Sequence, residues 1–546
     1  GKERVQAARI AGFPAEPLVP VGGDNREFAV VGLELFDRLV GLVHPEFDEV
    51  RRPTGRRLPC EVVRRGGEGE VVEGHVRSYH PTAHKFAVNR SEREFLYDHG
   101  RTHRVIDRER LRVTDRMAVA LDAIEAGIDA ARPKNVLRKA VSVADGGLTI
   151  DGTTYDLTAY DDVLLLGGGN AAGRIAGRLA DALGPELTGG VVVTDDPAPA
   201  GPIGMVDGTH PVPSEANRDG TRRLLDLARA ADDDTLVVVA ATGGGSALLA
   251  APVDGVPLAD LRQLTAALVR SGAPIDRINA VRKHVSAVKG GRLARTLAPA
   301  TTVGIVFSDV TSDDPSVVAS GPLSPDSTTY DDALTVLSEY GVDAPESVTQ
   351  HLDRGVAGEV DETPRPGDPA FDDVSLHTLA DNATAVAAAR EVCAAQGFDP
   401  VVLSSSIRGD SQAAATTHVA VAEEIRRRGN PVEPPAAILS GGETTVAVGD
   451  GGAGGTGGPN QEFTLRAAVA LPERTVCCAV DTDGLDGPTD AAGAIVDPDS
   501  VADPQRARDA LTAHDAYSYL EECAALVHTG ATGTNVNDLR VLLVPE

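Results

Sequence analysis

The sequence predicts an α/β fold in two domains, preceded by an N-terminal extension of different character. Three observations carry this reading. From residue 115 onward, short apolar runs alternate with helical stretches, the grammar of doubly wound sheets. A stretch at 354–371, with Pro364, Pro366 and Pro369, interrupts the alternation and reads as a linker. The charge changes sharply near residue 113: residues 1–113 carry 20 Lys and Arg against 18 Asp and Glu, whereas 114–546 carry 31 against 63.

Residues 1–113 hold six of the 13 histidines and the arginine-rich runs at 51–57 and 64–70, with weak periodicity apart from an apolar stretch near 29–43. Two readings stay open, an accessory module or a segment outside the mature enzyme, such as an over-extended gene start ahead of Met117. The second is favoured, and under either one this part is expected to be poorly ordered and without a catalytic role. The larger domain is expected over 114–355. It begins with an amphipathic helix at 116–131 and continues with strands at 162–167, 190–194, 235–241 and 302–308 and helices at 171–183, 215–231 and 258–271. The smaller domain, 372–546, is expected to hold strands at 375–380, 400–404, 436–440, 475–481 and 540–544 and helices at 383–396 and 411–428.

At 546 residues the chain exceeds one ordinary core, and its formal net charge of −30 argues against a nucleic-acid partner, whose phosphates are bound through Lys and Arg. The acidic excess, only six lysines and no tryptophan resemble a cytoplasmic protein of a high-salt organism, in which molar salt screens self-repulsion to a few ångströms. The five cysteines lack metal spacing and fit a reducing cytoplasm. No run of about 18 apolar residues and no signal peptide is present, so no membrane partner is expected.

Ligands of open parallel sheets gather at the carboxyl ends of strands. After 235–241 comes TGGGSALL, in which Gly243, Gly244, Gly245 and Ser246 would let backbone N–H groups approach an anion; no GK[ST] follows, so it is not a Walker A loop. After 162–167 comes a second glycine turn with Gly168 and Asn170. It lacks the full GxGxxG spacing and a ribose-binding acid, which makes a dinucleotide reading weak. Lys283 and Lys289, two of the six lysines, stand close together beside Arg282 and His284 and ahead of Gly290–Gly291. Compact ammonium groups suit phosphate, although a solvated helix face is the plainer alternative.

Carboxylates gather after two strands: Asp309, Asp313 and Asp314, then Asp481, Asp483, Asp486 and Asp490. Such clusters repel unless a cation or basic group sits among them, or they are simply solvated loops. The glycine and terminal glutamate of an EF-hand are missing, so Mg²⁺ held by one or two carboxylates plus substrate phosphates fits better than Ca²⁺. Glu443, the Asn460–Gln461–Glu462 run and Asn535, Asn537 and Asp538 also fall beside apolar runs.

Eight segments in order, DGTHPVPSEAN (207–217), ATGGGSALL (241–249), NAVRKHVSAVKGG (279–291), SDVTSDDPSVVASGPLSPD (308–326), SGGETTV (440–446), GGPNQEF (457–463), DTDGLDGPTDAAGA (481–494) and TGTNVNDLR (532–540), resemble the class II glycerate kinases, whose C-terminal part is called the MOFRL domain. The resemblance spans roughly 115–546. It implies two Rossmann-like α/β domains with the site in the cleft between them, and phosphorylation of D-glycerate to 2-phosphoglycerate by ATP with Mg²⁺. Carried over by motif, Lys283, Lys289 and Asp309 would be catalytic, while Gly168, Asn170 and Gly243 to Ser246 would lie at the nucleotide phosphates. Arg282, Glu443, Asn460, Glu462 and Asn535 would bind substrate, and Asp314, Asp481, Asp483 and Asp486 would hold metal. The expected partners are D-glycerate and ATP, with a homodimer admitted. Two positions depart from the family: Asn170 stands where many members have lysine, and Pro459 where many have arginine. These leave a related hydroxy acid open as acceptor. The rival readings are an NAD(P)-dependent hydroxypyruvate reductase and a non-catalytic metabolite-binding protein.

Overall fold

The computed structural model describes residues 105–106, 108, 111, 114–312, 314–447 and 454–546, and these belong to one compact unit. The expectation for residues 1–113 therefore lies almost entirely outside the described residues, as does Asp313.

Helix α1 (Asp115–Ala131) starts at Thr114, whose side chain accepts from the Met117 N–H and satisfies one otherwise unpaired helix donor. After α2 (Pro133–Ala140) come the strands β1 (Val141–Ala144), β2 (Gly147–Ile150) and β3 (Thr153–Asp156), an antiparallel sheet of their own. Its two turns are Asp145–Gly146 and Asp151–Gly152, with positive φ at all four residues, the conformation that Asp-Gly pairs adopt in tight hairpins.

Six parallel strands form the first large sheet: β4 (Asp162–Gly168), β5 (Gly189–Thr194), β6 (Ile203–Asp207), β7 (Thr235–Thr242), β8 (Thr301–Phe307) and β9 (Val374–Ala380). Their spatial order is β6-β5-β4-β7-β8-β9. Counted along the sheet, this is the 3-2-1-4-5-6 order of dinucleotide-type doubly wound folds, with its topological switch between β4 and β7. β7 is buried along its whole length, as a central parallel strand must be. Around the sheet lie α3 (Ala172–Leu183), α4 (Glu215–Ala230), α5 (Gly245–Leu248), α6 (Leu258–Arg270), α7 (Ile275–His284), α8 (Arg292–Leu297), α9 (Tyr330–Glu339) and α10 (Glu346–Val356). The helices α6, α7, α9 and α10 share a separate apolar cluster around Leu264, Leu268, Val281, Val336 and Leu352.

The second part contains α11 (Asn382–Ala395), β10 (Asp399–Asp410), α12 (Ser411–Arg428), β11 (Ala436–Thr445), α13 (Pro459–Ala468), β12 (Val476–Asp481), β13 (Gly493–Val496), α14 (Pro504–Thr512), α15 (Ala516–Glu522), β14 (Leu526–Val527) and β15 (Asp538–Val544). Its sheet runs β10-β11-β15-β12-β13-β14. Only β10 and β11 pair in parallel; β15 lies antiparallel between β11 and β12. The second sheet is thus mixed, where the resemblance implied a Rossmann-like sheet in each domain.

Two elements lie on the other side of the expected boundary. β9 falls within the expected smaller domain yet pairs with β8 as the sixth strand of the first sheet, so the chain changes sheets after Ala380. α1 falls within the expected larger domain yet packs on α11 of the second sheet. A Cβ at Gly127 would lie 2.4 Å from the Leu539 side chain and 3.0 Å from the Ala385 carbonyl, so the glycine permits that close approach. An apolar stripe shows that a face is buried without showing against what. The stretch at 354–371 is also less free than a linker: Thr363 is buried and donates to Asp326, whose N–H donates to the Pro364 carbonyl. Among the described residues, no helix is long and apolar enough to cross a membrane.

Candidate active site

β4 and β7 are paired neighbours, and their C-terminal turns meet at the switch point. Gly169 has no room for a side chain, since a Cβ would lie 2.1 Å from Thr242 Oγ1. The Asn170 N–H donates to the Gly243 carbonyl at 2.8 Å. Gly244 has φ of 75°, and a Cβ there would lie 1.9 Å from Asn170 Oδ1, a buried oxygen without a hydrogen-bond partner. Gly168, just inside the strand, faces the Leu249 side chain. Ser246 Oγ is 2.7 Å from Ser320 Oγ, which donates to Asn279 Oδ1 at 3.0 Å. Asp309, two residues past β8, lies against Gly243, where a Cβ would be 2.1 Å from its Oδ2. Burial raises the Asp309 carboxyl to about 6. The structure therefore joins Gly168, Asn170, the Gly243–Ser246 turn and Asp309 at one sheet edge.

The second sheet supplies the facing acids. Its register sets Gly442 and Asp481 on either side of Asp538, so Glu443, Asp481 and Asp538 emerge from neighbouring strands at one end. Asp538 accepts from the Thr444 N–H at 3.1 Å, from Asn460 Nδ2 at 2.6 Å and from Arg540. Arg540 is fully buried beneath the cluster and stacks 5.0 Å from the Phe463 ring. Asp486 is buried at the start of α13, where it accepts from the Asn460 and Gln461 N–H groups and from Asn460 Nδ2; burial still raises it to about 7. Burial and then repulsion from Asp483 and Asp538 push Asp481 well above the usual carboxylate range, and burial raises Asp483. Glu443 is raised by burial, then by Asp538 and by Asp309. That last pairing links the acids of the two sheets, and Arg408 also crosses to the loop after β8 by donating to the Thr311 carbonyl at 3.1 Å.

Several expected site residues have other partners. Lys283 is buried and bonded to Asp326 at 3.3 Å, which makes it an internal ion pair. Lys289 is buried and donates to the Leu249 carbonyl at 2.5 Å, near a partly buried Arg282. Glu462 points away from the acid cluster to His514 at 2.7 Å and Gln412 at 2.8 Å, because successive side chains of a helix leave in different directions. Asn535 accepts from the Asn537 N–H and shapes its own turn. Asp314 is exposed and accepts from the Ser316 N–H. Among the described residues, no group of three or more His, Cys, Asp and Glu side chains is arranged to hold a metal ion by itself. The sequence reading placed Asp538 beside the last strand without assigning it a role and passed over Arg540. Their only local signal is an acid and a base two residues apart at a strand start.

A family model described as a domain of unknown function, DUF4147, matches residues 119–353, and the MOFRL family model matches residues 436–538. The D-glycerate 2-kinase of Thermotoga maritima is 39% identical over 396 residues, which cover 70% of this chain and 91% of that one. A relative from Agrobacterium vitis with the provisional name hydroxypyruvate reductase is 40% identical over 393 residues, or 70% and 87% of the two chains. The crystal structure of glycerate kinase from Thermotoga maritima matches with a TM-score of 0.68 at 35% identity, covering 78% of this chain and 99% of that one. On this similarity along nearly the whole length of its relatives, the chain belongs to the glycerate kinase family.

Proposed function

We propose that this chain transfers a phosphoryl group from ATP to a hydroxyl of D-glycerate, giving 2-phosphoglycerate. The observation that supports the reading is that Asp309 lies against Gly243 of the glycine turn and, after burial and Asp538, raises Glu443, while burial, Asp483 and Asp538 raise Asp481. Backbone N–H groups of the turn suit nucleotide phosphates. Asp309, with its carboxyl raised to about 6, is ionised at neutral pH yet basic enough to accept a hydroxyl proton. In the step, the acceptor O–H bond breaks toward an Asp309 oxygen, the freed oxygen bonds to the γ-phosphorus, and the bond from that phosphorus to the ADP oxygen breaks.

The carboxylates also fit a divalent cation. Burial raises both Asp481 and Asp483, and the Asp483 and Asp538 charges raise Asp481 further, an excess of negative charge that a hard cation would relieve. Two carboxylates completed by substrate phosphates is a common Mg²⁺ arrangement, and it needs no three-residue protein site. Such an ion would neutralise charge on the phosphates. The Asp538–Asn460–Asp486 hydrogen bonds would keep the loop shaped around it.

The reading extends to a cytoplasmic enzyme of a high-salt organism, supported by the net charge of −30 and the six lysines. Light scattering tests a homodimer. The decisive experiment is ADP release with each glycerate enantiomer in molar KCl, with the product identified by phosphorus NMR. No turnover of either enantiomer sinks the substrate assignment. The name of the Agrobacterium vitis relative motivates the second reading, a hydroxypyruvate reductase. NADH oxidation with hydroxypyruvate would support it, whereas the carboxylate cluster has no part in a hydride transfer.

A further inference from the structure

The segment DGTHPVPSEAN (207–217) has no part in the chemistry described so far, yet its last residue has an unusual set of partners. Asn217, the third residue of α4, is fully buried. Its Oδ1 accepts from the Thr209 N–H at 2.8 Å, the Ser214 N–H at 3.2 Å and Ser214 Oγ at 2.7 Å. Its Nδ2 donates to the Thr209 carbonyl at 2.9 Å and to the Ala247 carbonyl at 2.9 Å. The oxygen closes a capping box with Ser214, a task for which an acceptor is enough and a carboxylate would serve. The two bonds to carbonyls need donors on the same side chain, which an amide of this size has and a carboxylate lacks. The helix cap accounts for Oδ1 and leaves Nδ2 to be explained.

The Nδ2 bond meets a need of the glycine turn. The turn at 243–246 runs into α5, which has four residues, so the carbonyls at its end have no partner within the helix. Side chains from elsewhere supply them: Asn217 Nδ2 for Ala247, Thr221 Oγ1 at 3.5 Å for Leu248 and Lys289 Nζ at 2.5 Å for Leu249. Asn217 and Thr221 lie one turn apart on the same face of α4. That helix is itself held close to the first sheet. A Cβ at Gly220 would lie 2.8 Å from the Val206 side chain and 3.0 Å from that of Val193. The loop before α4 is equally tight, since a Cβ at Gly208 would lie 2.8 Å from the Leu248 side chain and 3.2 Å from Asn217 Oδ1. The 208–214 loop, α4 and the residue that follows Ser246 are therefore joined through one buried amide.

We propose that Asn217 is a positioning residue for the glycine turn. By holding the Ala247 carbonyl on α4, it sets the orientation of the adjoining peptides at 243–246 and, through them, the affinity for nucleotide phosphates. The proposal rests on the reading of that turn as the place of the nucleotide. Asn217 touches no reactant and acts through the turn alone. Without its donor the Ala247 carbonyl is left unpaired and the neighbouring peptides can rotate, in a kind of site where a displacement of about 1 Å is costly. The effect falls on the nucleotide and spares glycerate.

The test uses the full chain, with titration calorimetry of ADP and steady-state kinetics with ATP and D-glycerate. Asn217→Ser, whose shorter side chain stops short of Ala247, is expected to weaken ADP binding and raise the KM for ATP by about tenfold. Its KM for glycerate should stay within about twofold of the parent. Ser214→Ala removes a bond of the cap and keeps the Nδ2 bond to Ala247. It is expected to lower the melting temperature and leave the ADP affinity within about twofold. A residue that only stabilises the fold would lower the melting temperature in both variants without changing ADP binding by the folded protein, and that result overturns the proposal. Equal losses of ADP affinity in the two variants overturn it as well, because they trace to the cap. If Asn217→Ser does not fold, hydrogen exchange in the parent decides. ADP should then slow exchange at the Thr209 and Ser214 N–H groups that Asn217 holds, together with the turn, and protection confined to the turn overturns the proposal. The two readings fail differently. A parent that binds no ADP removes the nucleotide reading and this proposal with it, whereas normal ADP affinity in Asn217→Ser removes the positioning role alone.

Discussion

Lys283→Met tests whether this lysine supports the fold or the chemistry. Its partner Asp326 is 1% exposed and also accepts from the Thr328 N–H at 3.2 Å, Thr328 Oγ1 at 2.9 Å and Thr363 Oγ1 at 3.1 Å. Removing one member of a buried pair typically costs about 3–5 kcal/mol, because the other charge stays buried and uncompensated. Three remaining donors moderate that loss, so we expect about 3 kcal/mol. At roughly 2–4 °C per kcal/mol for a large domain, the melting temperature should fall by about 6–12 °C. The assay is calorimetry of Lys283→Met, Asp326→Asn and the double variant in the same KCl buffer. Residues in contact are not additive, and the double variant should recover more than half of the loss seen for Lys283→Met. Turnover of D-glycerate, measured below the transition, should stay within about tenfold of the parent. A melting temperature within about 2 °C of the parent, combined with lost turnover, would refute this reasoning and return Lys283 to the reacting groups.

Magnesium should raise the melting temperature more at pH 8 than at pH 5. The folded-state carboxyls of Asp481, Asp483 and Asp486 are raised, so their contribution to stability is present at low pH and is lost as pH rises through the folded value, about 7 for Asp486. A cation should restore it, and an equal magnesium shift in Asp483→Asn would count against the cluster as the binding place. The kcat/KM for glycerate should rise with pH through about 6 and level off above it, as Asp309 loses its proton. Asp309→Asn should remove most of the activity, and a parent profile that is flat from pH 5 to 8 would exclude Asp309 as the base. Gly244→Ala puts a Cβ 1.9 Å from Asn170 Oδ1 at a φ of 75° and should cost about 1–2 kcal/mol while raising the KM for ATP. Unchanged ATP kinetics would show that this turn does not hold the nucleotide.

Much of the first sheet was legible because parallel strands are buried on both faces and read as continuous apolar runs. The runs at 162–167, 190–194, 235–241, 302–308 and 375–380 all became strands within a residue or two of their ends. The short edge strand β6, with its half-buried pattern, gave no comparable run. The hairpin turns at Asp145–Gly146 and Asp151–Gly152 carried a readable Asp-Gly signal that the apolar periodicity overshadowed. In the site, Asp309 and Asp481 stood out because they follow such runs directly. Glu462 carried the same kind of local signal, yet its helix turns it toward His514, while Asp538 and Arg540 became prominent only once three strands had been aligned.

The sequence by itself determined the α/β grammar and the placing of glycine turns and acids at strand ends, since both depend on residues adjacent in the chain. Only the tertiary structure decided that α1 packs on the second sheet and that β9 completes the first. It alone decided that Lys283 is neutralised by Asp326 while Lys289 donates to the Leu249 carbonyl. Apolar burial is non-directional, and a charge finds its partner through contacts between residues far apart in the chain, so neither choice has a local signature.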